Sequence, residues 1–214
     1  MPASRRSVLT GLASLVAPLV GIEPAYAAAL ARAPERPQTT QLWLRRERTG
    51  EEVSAIVRAA DGYQHSDLVM LSWLLRDVDD GDAAVWIDPR VFGLLAAVQS
   101  AMSAVHGAVV PLIVTSGYRT PQHNAGIEGA ARGSLHLAGR AIDVKAAGYD
   151  PAAVAIAGAL FARGGVGIYP SFCHLDVGRV RAWAGGLRTS RGQNESVAAA
   201  PSPGSPLPTP EPRQ

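Results

Sequence analysis

The chain has 214 residues and a single cysteine, Cys173, so no disulfide can form within it. The chain also lacks an excess of charge of either sign, because 20 Lys and Arg and 18 Asp and Glu leave a net charge of +2. No basic stripe interleaved with aromatic residues is present, which argues against nucleic acid as a partner. Hydrophobic residues make up 47% of the chain, enough for one core, and the length predicts one domain with appendages.

A long uninterrupted hydrophobic run is lacking as well. The apolar stretch at residues 8–22 is broken by Pro18 and Gly21, whereas a spanning helix needs about 20 apolar residues. Two arginines precede this stretch and Ala-Tyr-Ala follows it, the order of a secretory signal peptide. We predict a cleaved signal at residues 1–27 that resembles the twin-arginine type. The mature chain would then be periplasmic without a stable membrane span; the alternative is an N-terminal membrane anchor.

The remaining composition divides the chain into three parts. Residues 28–40 are rich in Ala and Pro and are interpreted as a loose linker, and residues 41–189 as the folded domain. Residues 190–214 become polar and then Pro-rich, so they bury too little apolar surface to offset the entropy of ordering. We predict a disordered tail with polyproline character.

Local patterns predict both helices and strands in the folded domain. Thr49-Gly50 lies between two alternating segments, which is typical of a β-hairpin. Helical spacing is present at residues 66–78, and Asp-Pro pairs that can cap a helix occur at residues 88–89 and 150–151. Residues 121–133 are predicted to be a long polar loop. Short β-rich runs predict strands at 111–115, 140–145, 166–169 and 172–177, the last two being the final strands.

Two imidazoles and one carboxylate form a candidate metal site. His136 and Asp143 lie seven residues apart, which suits a loop residue and a strand residue that meet across a bend at Gly139. His174 alternates with Asp176 along a later strand, so both side chains project from one face. Three nitrogen or oxygen ligands that leave a fourth position to water are typical of a catalytic zinc site. Cys173 would point to the opposite face as a small buried hydrophobe.

Three segments carry a resemblance to a known family: S-G-Y-R-T at 116–120, S-L-H-L-A-G-R-A-I-D at 134–143, and G-G-V-G-I-Y-P-S-F-C-H-L-D-V-G-R-V-R-A-W at 164–183. Together they resemble the D-alanyl-D-alanine zinc peptidases, in particular the murein endopeptidases of the Gram-negative periplasm. The resemblance covers about residues 42–183. It implies an α+β fold in which a small antiparallel sheet, with helices packed on one side, cradles a single zinc site.

Matching the motifs residue by residue assigns expected roles. The resemblance puts His136, Asp143 and His174 at the zinc-ligand positions and Arg119 at the place of the arginine near the substrate carbonyl. Ser134 and Gly139 match the residues that shape the ligand loop.

The general base of the family is missing from its usual place. Many members carry a Glu three residues before the last histidine, where this chain has Ser171. Asp176 is the leading candidate on geometry, but it equally suits a carboxylate that orients His174. Glu128 and His123 in the polar loop are weaker candidates.

The resemblance and the export signal together predict a zinc-dependent murein endopeptidase. Its partner would be a peptidoglycan peptide cross-link, and we expect a monomer that acts in the periplasm. Two alternatives stay open: a carboxypeptidase that trims terminal D-alanine, and a zinc-containing module that binds murein without cutting it.

Overall fold

The computed structural model describes residues 39–186. The predicted signal peptide at 1–27, nearly all of the predicted linker and the predicted tail at 190–214 lie outside the described residues. Thr40, the last residue assigned to the linker, already belongs to the first strand. None of the described helices is both long enough and apolar enough to cross a bilayer.

Eight strands form one mixed sheet among the described residues, in the order β3-β2-β1-β4-β5-β7-β6-β8. The pairs β1/β4 and β6/β8 are parallel and the others are antiparallel. The strands are β1 (Thr40–Arg46), β2 (Glu52–Ala59), β3 (Gly62–Tyr63), β4 (Leu112–Ser116), β5 (Ala141–Ala146), β6 (Gly165–Ile168), β7 (Cys173–Asp176) and β8 (Arg181–Ala184).

Four α-helices and one 3₁₀ turn complete the described fold. They are α1 (His65–Leu74), α2 (Pro89–His106), α3 (Pro121–Gly126), the 3₁₀ turn (Leu135–Ala138) and α4 (Pro151–Leu160). The α+β class is therefore confirmed.

Capping side chains fix the starts of three helices. Asp88 and Asp150 each accept a hydrogen bond from the backbone N–H two residues on, at 3.0 and 2.7 Å. The Thr120 hydroxyl accepts one from the N–H of His123 at 3.0 Å. Each cap is followed by proline, whose missing N–H costs nothing in the first turn. These starts therefore follow from the local sequence.

One hydrophobic core lies between the helices and one face of the sheet. Leu42 and Leu44 of β1, Val144 of β5 and Leu175 of β7 all join it, together with Phe92 of α2. Side chains alternate between the faces of a strand, so the intervening residues of β5 and β7 project from the opposite face. Cys173 lies in this core with no solvent exposure, as predicted.

Several predictions differ from the structure. The sheet is larger than the small antiparallel sheet that was expected, and two of its pairs are parallel. The predicted loop at 121–133 begins with α3, because Thr120 caps it and a proline follows. The helix predicted at 66–78 ends at Leu74. The strand β8 follows the two strands that were expected to be last.

Candidate metal centre

The three predicted ligands converge on one point. His136 Nε2 lies 3.2 Å from Asp143 Oδ1, His174 Nδ1 lies 2.8 Å from the same oxygen, and the two imidazole nitrogens are 3.1 Å apart. A tetrahedral zinc ion with ligand distances of about 2.0–2.2 Å separates its ligand atoms by about 3.3–3.6 Å. The donor set and its spacing therefore fit a single zinc ion after a small outward adjustment.

Sheet register brings two of the three ligands together. Asp143 of β5 and His174 of β7 are direct partners in an antiparallel pair. Their neighbours Ile142, Val144 and Leu175 are in the core, so both ligands project from the face opposite the helices. A shift of one residue in this register would exchange the two faces and destroy the site.

The third ligand comes from the 3₁₀ turn before β5. The Ser134 hydroxyl caps this turn by accepting a hydrogen bond from the N–H of His136, at 3.4 Å. Gly139 ends it with φ of +60°. A Cβ at Gly139 would lie 2.9 Å from the carbonyl oxygen of Trp86, so a side chain has no room there. Ser134 and Gly139 therefore do shape the loop that carries His136.

Each imidazole is held through its second nitrogen. His136 Nδ1 donates to the carbonyl oxygen of Gly117 at 2.6 Å, and His174 Nε2 donates to Asp176 Oδ2 at 3.2 Å. These two contacts leave His136 Nε2 and His174 Nδ1 as the ring nitrogens that face each other across the site, where they could bind a metal ion. Partners of this kind fix the tautomer and orientation of metal-binding histidines.

Electrostatics favours the ligand forms of two of these groups. Burial lowers the pKa of His136 and keeps its imidazole neutral. Burial opposes ionisation of Asp143, but the imidazoles of His136 and His174 outweigh it and hold the pKa of that carboxyl well below its usual range. A neutral imidazole and an ionised carboxylate are the states that bind a divalent cation.

Asp176 lies behind His174 and is fully buried. Its oxygens accept hydrogen bonds from the N–H groups of Gly165 at 2.9 Å and Gly178 at 2.7 Å. Arg181 of β8 reaches the two oxygens at 3.2 and 2.7 Å. Burial opposes ionisation of the Asp176 carboxyl, but the hydrogen bonds from His174, the two backbone groups and Arg181 hold its pKa well below the usual range.

Arg119 sits on the other side of Asp143. Its Nη2 donates to Asp143 Oδ2 and its Nε donates to the Ser116 hydroxyl, the latter at 2.7 Å. Its Nη1 makes no hydrogen bond to any residue in the part of the chain that the structure describes. The guanidinium is therefore anchored at one end and retains donors at the other.

The cluster opens into a cavity of about 520 Å³. Glu128 lines it, whereas His123 is hydrogen-bonded to Asp77 at 2.8 Å and does not line it. The lining comprises the three candidate ligands and Arg119, Ile127, Glu128, Gly129, Ala130, Ala131, Gly133, Ser134, Leu135, Tyr169, Phe172, Arg181 and Trp183.

Sequence reasoning missed four of these lining residues as parts of a site: Tyr169, Phe172, Arg181 and Trp183. All four flank the His174 motif in sequence, so proximity to that motif was the available signal. Arg181 and Trp183 reach the cavity only because β8 pairs with β6, and no alternation marked β8 as a strand.

Comparisons with known proteins identify the family of this chain. The family model described as peptidoglycan L,D-endopeptidase MepK matches residues 35–183, a range that contains all three candidate ligands. A protein of Haemophilus influenzae named "Probable peptidoglycan L,D-endopeptidase MepK" is 32% identical over 155 residues, which cover 70% of this chain and 81% of that relative. No solved structure matches the chain.

Proposed function

Because this chain belongs to the peptidoglycan L,D-endopeptidase MepK family, we propose that it is a zinc-dependent murein endopeptidase that hydrolyses peptide cross-links of peptidoglycan. One observation carries the zinc part of the proposal. Three donor atoms from distant parts of the chain lie within 3.2 Å of one another, with both imidazoles held by their outer nitrogens.

His136 Nε2, Asp143 Oδ1 and His174 Nδ1 would hold the zinc ion. When bound, zinc supplies Lewis acidity that activates water and polarises a carbonyl group. Asp176 keeps the Nε2–H of His174 engaged, which aims Nδ1 at the site. Arg181 balances the charge of Asp176 and holds that carboxylate in place. We therefore assign Asp176 to orienting His174, the second of the two roles that its sequence position allowed.

Arg119 would act on the substrate carbonyl. Its Nε and Nη2 fix the guanidinium against Ser116 and Asp143, so its remaining donors are held in a set direction. A preorganised donor to a developing oxyanion contributes about 3–4 kcal/mol to lowering the barrier. The contact with Asp143 would also steady the carboxylate ligand.

We assign to Glu128 the task of accepting the proton of the attacking water. Asp143 and Asp176 are both engaged by imidazole and arginine donors. Glu128 lines the cavity and makes no hydrogen bond or ion pair with the residues of the described range. A general base needs an available lone pair, and of the two described carboxylates in the cavity lining, Asp143 and Glu128, only Glu128 has no partner among the described residues.

The same charge pattern favours cross-link cleavage over removal of a terminal D-alanine. A carboxypeptidase site needs a cation for the free carboxylate of its substrate. The two arginines that line the cavity, Arg119 and Arg181, are each already paired with a carboxylate of the protein. Since murein lies outside the cytoplasm, the proposal also requires export, which the predicted signal at residues 1–27 would provide, and a periplasmic monomer is the working form.

Digestion of purified murein sacculi tests the proposal. The zinc-loaded wild type is expected to release soluble muropeptides, and a chelator should abolish the release. His136→Ala and His174→Ala should lose both bound zinc and release, because each removes one of three ligands. His106→Ala is the matched control, since this exposed imidazole at the C-terminal end of α2 contacts Tyr149 and does not line the cavity.

Three outcomes would count against parts of the proposal. Binding of sacculi without release would favour the murein-binding module. Products shortened by single terminal D-alanine residues, seen by mass, would favour the carboxypeptidase. Unchanged zinc content in both histidine variants would overturn the ligand assignment.

A further inference from the structure

Tyr169 lines the same cavity, and its hydroxyl has no part in the function proposed above. Tyr169 lies at the end of β6, in the turn that leads to β7 and His174. Its side chain lines the cavity together with the three candidate ligands.

Two packing contacts hold the ring of Tyr169, and a backbone hydrogen bond closes its turn. It stacks on the ring of Phe172, with the centroids 4.5 Å apart and the planes 12° from parallel. The backbone N–H of Tyr169 donates to the carbonyl oxygen of Phe172 at 3.0 Å and closes the turn. A Cβ at Gly185 would lie 2.3 Å from Tyr169 Cε1, so the chain after β8 packs directly against the ring.

The hydroxyl of Tyr169 retains an unused proton. Trp183 Nε1 lies 3.2 Å from the Tyr169 oxygen. An indole nitrogen only donates hydrogen bonds, so the tyrosine oxygen must be the acceptor. The hydroxyl proton finds no acceptor among residues 39–186. Tyr169, a residue of the cavity lining, therefore carries a hydroxyl that is fixed in place and retains its donor.

The same tryptophan ties this hydroxyl to the ligand cluster. The ring of Trp183 lies 5.2 Å from that of His174. It packs against Gly167, where a Cβ would come within 2.6 Å of Trp183 Cε2. One fixed side chain thus separates the phenol from a candidate zinc ligand, and the relative position of the two is set by packing.

We propose that Tyr169 is a catalytic residue whose hydroxyl donates a hydrogen bond to the carbonyl oxygen of the scissile peptide as negative charge develops there. The inference rests on the proposed endopeptidase function. Two of the three guanidinium nitrogens of Arg119 already bind Ser116 and Asp143, so a second donor from the cavity lining would complete the set around the oxyanion. No proton changes hands in this step, and the hydrogen bond is strongest at the transition state.

Tyr169→Phe tests this role, because it removes the donor and preserves the ring stacked on Phe172. The substrate is a purified, soluble cross-linked muropeptide dimer, and the enzyme is the zinc-loaded full chain. We expect kcat to fall about 100-fold, the size of effect seen when one oxyanion donor is removed, with KM and zinc content unchanged. Tyr149→Phe is the control, because its hydroxyl contacts His106 outside the cavity, and it should keep wild-type kcat.

A second variant tests the link between the two side chains. Trp183→Phe removes the donor that fixes the phenol, so it should lower kcat in the wild type. In a Tyr169→Phe background it should lower kcat little further, because coupled residues are not additive. Independent, additive losses would overturn this link.

The failures can be told apart. If the wild type leaves the dimer intact, the proposed function falls and this inference falls with it. If the wild type cuts and Tyr169→Phe cuts equally fast, only the inference is overturned. A rise in KM alone would assign Tyr169 to ground-state binding, and a parallel loss of zinc would assign it to the metal site; either result overturns the catalytic role.

Discussion

At the scale of single residues, hydrogen bonds with neighbouring groups orient each candidate ligand. Asp176 orients His174 through a hydrogen bond, and it accepts further hydrogen bonds from Arg181 and two backbone N–H groups. His136 is fixed by a backbone carbonyl of Gly117. Leu75 O would lie 2.3 Å from a Cβ at Gly117, so glycine is required where this carbonyl is presented. Both oxygens of Asp176 thus already accept hydrogen bonds, and this residue is not part of the cavity lining.

Asp176→Asn separates the orienting role from a role as general base. If Asp176 orients His174, zinc affinity should fall about 10- to 100-fold, as for other partners of metal-bound histidines. At saturating zinc, kcat should then stay within a few-fold of wild type. Zinc titration followed by kinetics at saturating metal makes the comparison. An unchanged zinc affinity with a large loss of kcat would identify Asp176 as the base instead.

Glu128→Gln is the matched partner of that variant. It removes the proton acceptor but keeps the side-chain size, so kcat should fall about 10²- to 10⁴-fold with zinc affinity unchanged. A kcat equal to that of wild type would exclude Glu128 as the base.

At the scale of secondary-structure elements, β8 completes the site. It pairs in parallel with β6, where Gly165 and Gly167 leave room for the side chains of Arg181 and Trp183. A Cβ at Gly165 would lie 2.3 Å from Asp176 Oδ2 and 2.5 Å from Arg181 Nη1. The Gly164-Gly165 pair follows α4, a place where glycine can end a helix. The close approach of Asp176 and Arg181 is a second reason for glycine there.

Gly165→Ala should therefore damage the metal site from a position that contacts no ligand directly. The added methyl group must push Asp176 and Arg181 aside, which releases His174, so we expect zinc affinity to fall at least about 10-fold. Isothermal titration with zinc measures the change. Gly126→Ala is the control, because a Cβ there meets nothing within 4 Å, and it should bind zinc as the wild type does. Equal affinities for the two variants would contradict this account of β6.

At the scale of the whole molecule, the two faces of the sheet have different roles. One face packs against the helices in a single core, and the ligands project from the other face on β5 and β7. Core packing can therefore hold the strands rigid while the opposite face carries buried polar groups. His136, Asp143 and His174 place two imidazoles and one carboxylate close together on that face. The protein is therefore expected to be less stable without the metal ion than with it.

Zinc should therefore raise the melting temperature, by an amount that depends on pH. At a zinc concentration of 100 times Kd, binding adds about 2.7 kcal/mol, or about 5–10 °C for a domain of this size. Burial opposes protonation of His174, but hydrogen bonds to Asp143 and Asp176 raise its pKa in the metal-free fold. The raised pKa of His174 therefore stabilises the metal-free fold. This stabilisation is fully present below the ordinary pKa of histidine, at about 6.5, and is lost as the pH rises through the pKa of the folded state.

The stabilisation by zinc depends on pH in the opposite direction, since the ion binds the neutral imidazole. The zinc-induced rise in melting temperature should be full at pH 8 and should shrink as the pH falls towards 5.5. Differential scanning calorimetry with zinc and with a chelator at both pH values measures it. A rise that is as large at pH 5.5 as at pH 8 would be inconsistent with histidine ligation.

The sequence by itself determined the local features. The hairpin at Thr49-Gly50 formed as predicted, with φ of +74° at Gly50. The starts of α2 and α4 also followed the predicted Asp-Pro caps. These features depend on side chains and backbone groups only a few residues apart, so the sequence contains the whole of their cause. The convergence of His136, Asp143 and His174 was also predicted, because their motif segments carried a family resemblance.

Only the tertiary structure decided which residues complete the site. The parallel pairing of β1 with β4 and of β6 with β8 joins segments that no local signal connects. That pairing brings Arg181 to Asp176 and Trp183 to Tyr169, while Glu128 reaches the cavity from a different loop. Hydrogen bonds and close packing between distant segments depend on register and distance in space, and neither quantity can be derived from residue spacing along the chain.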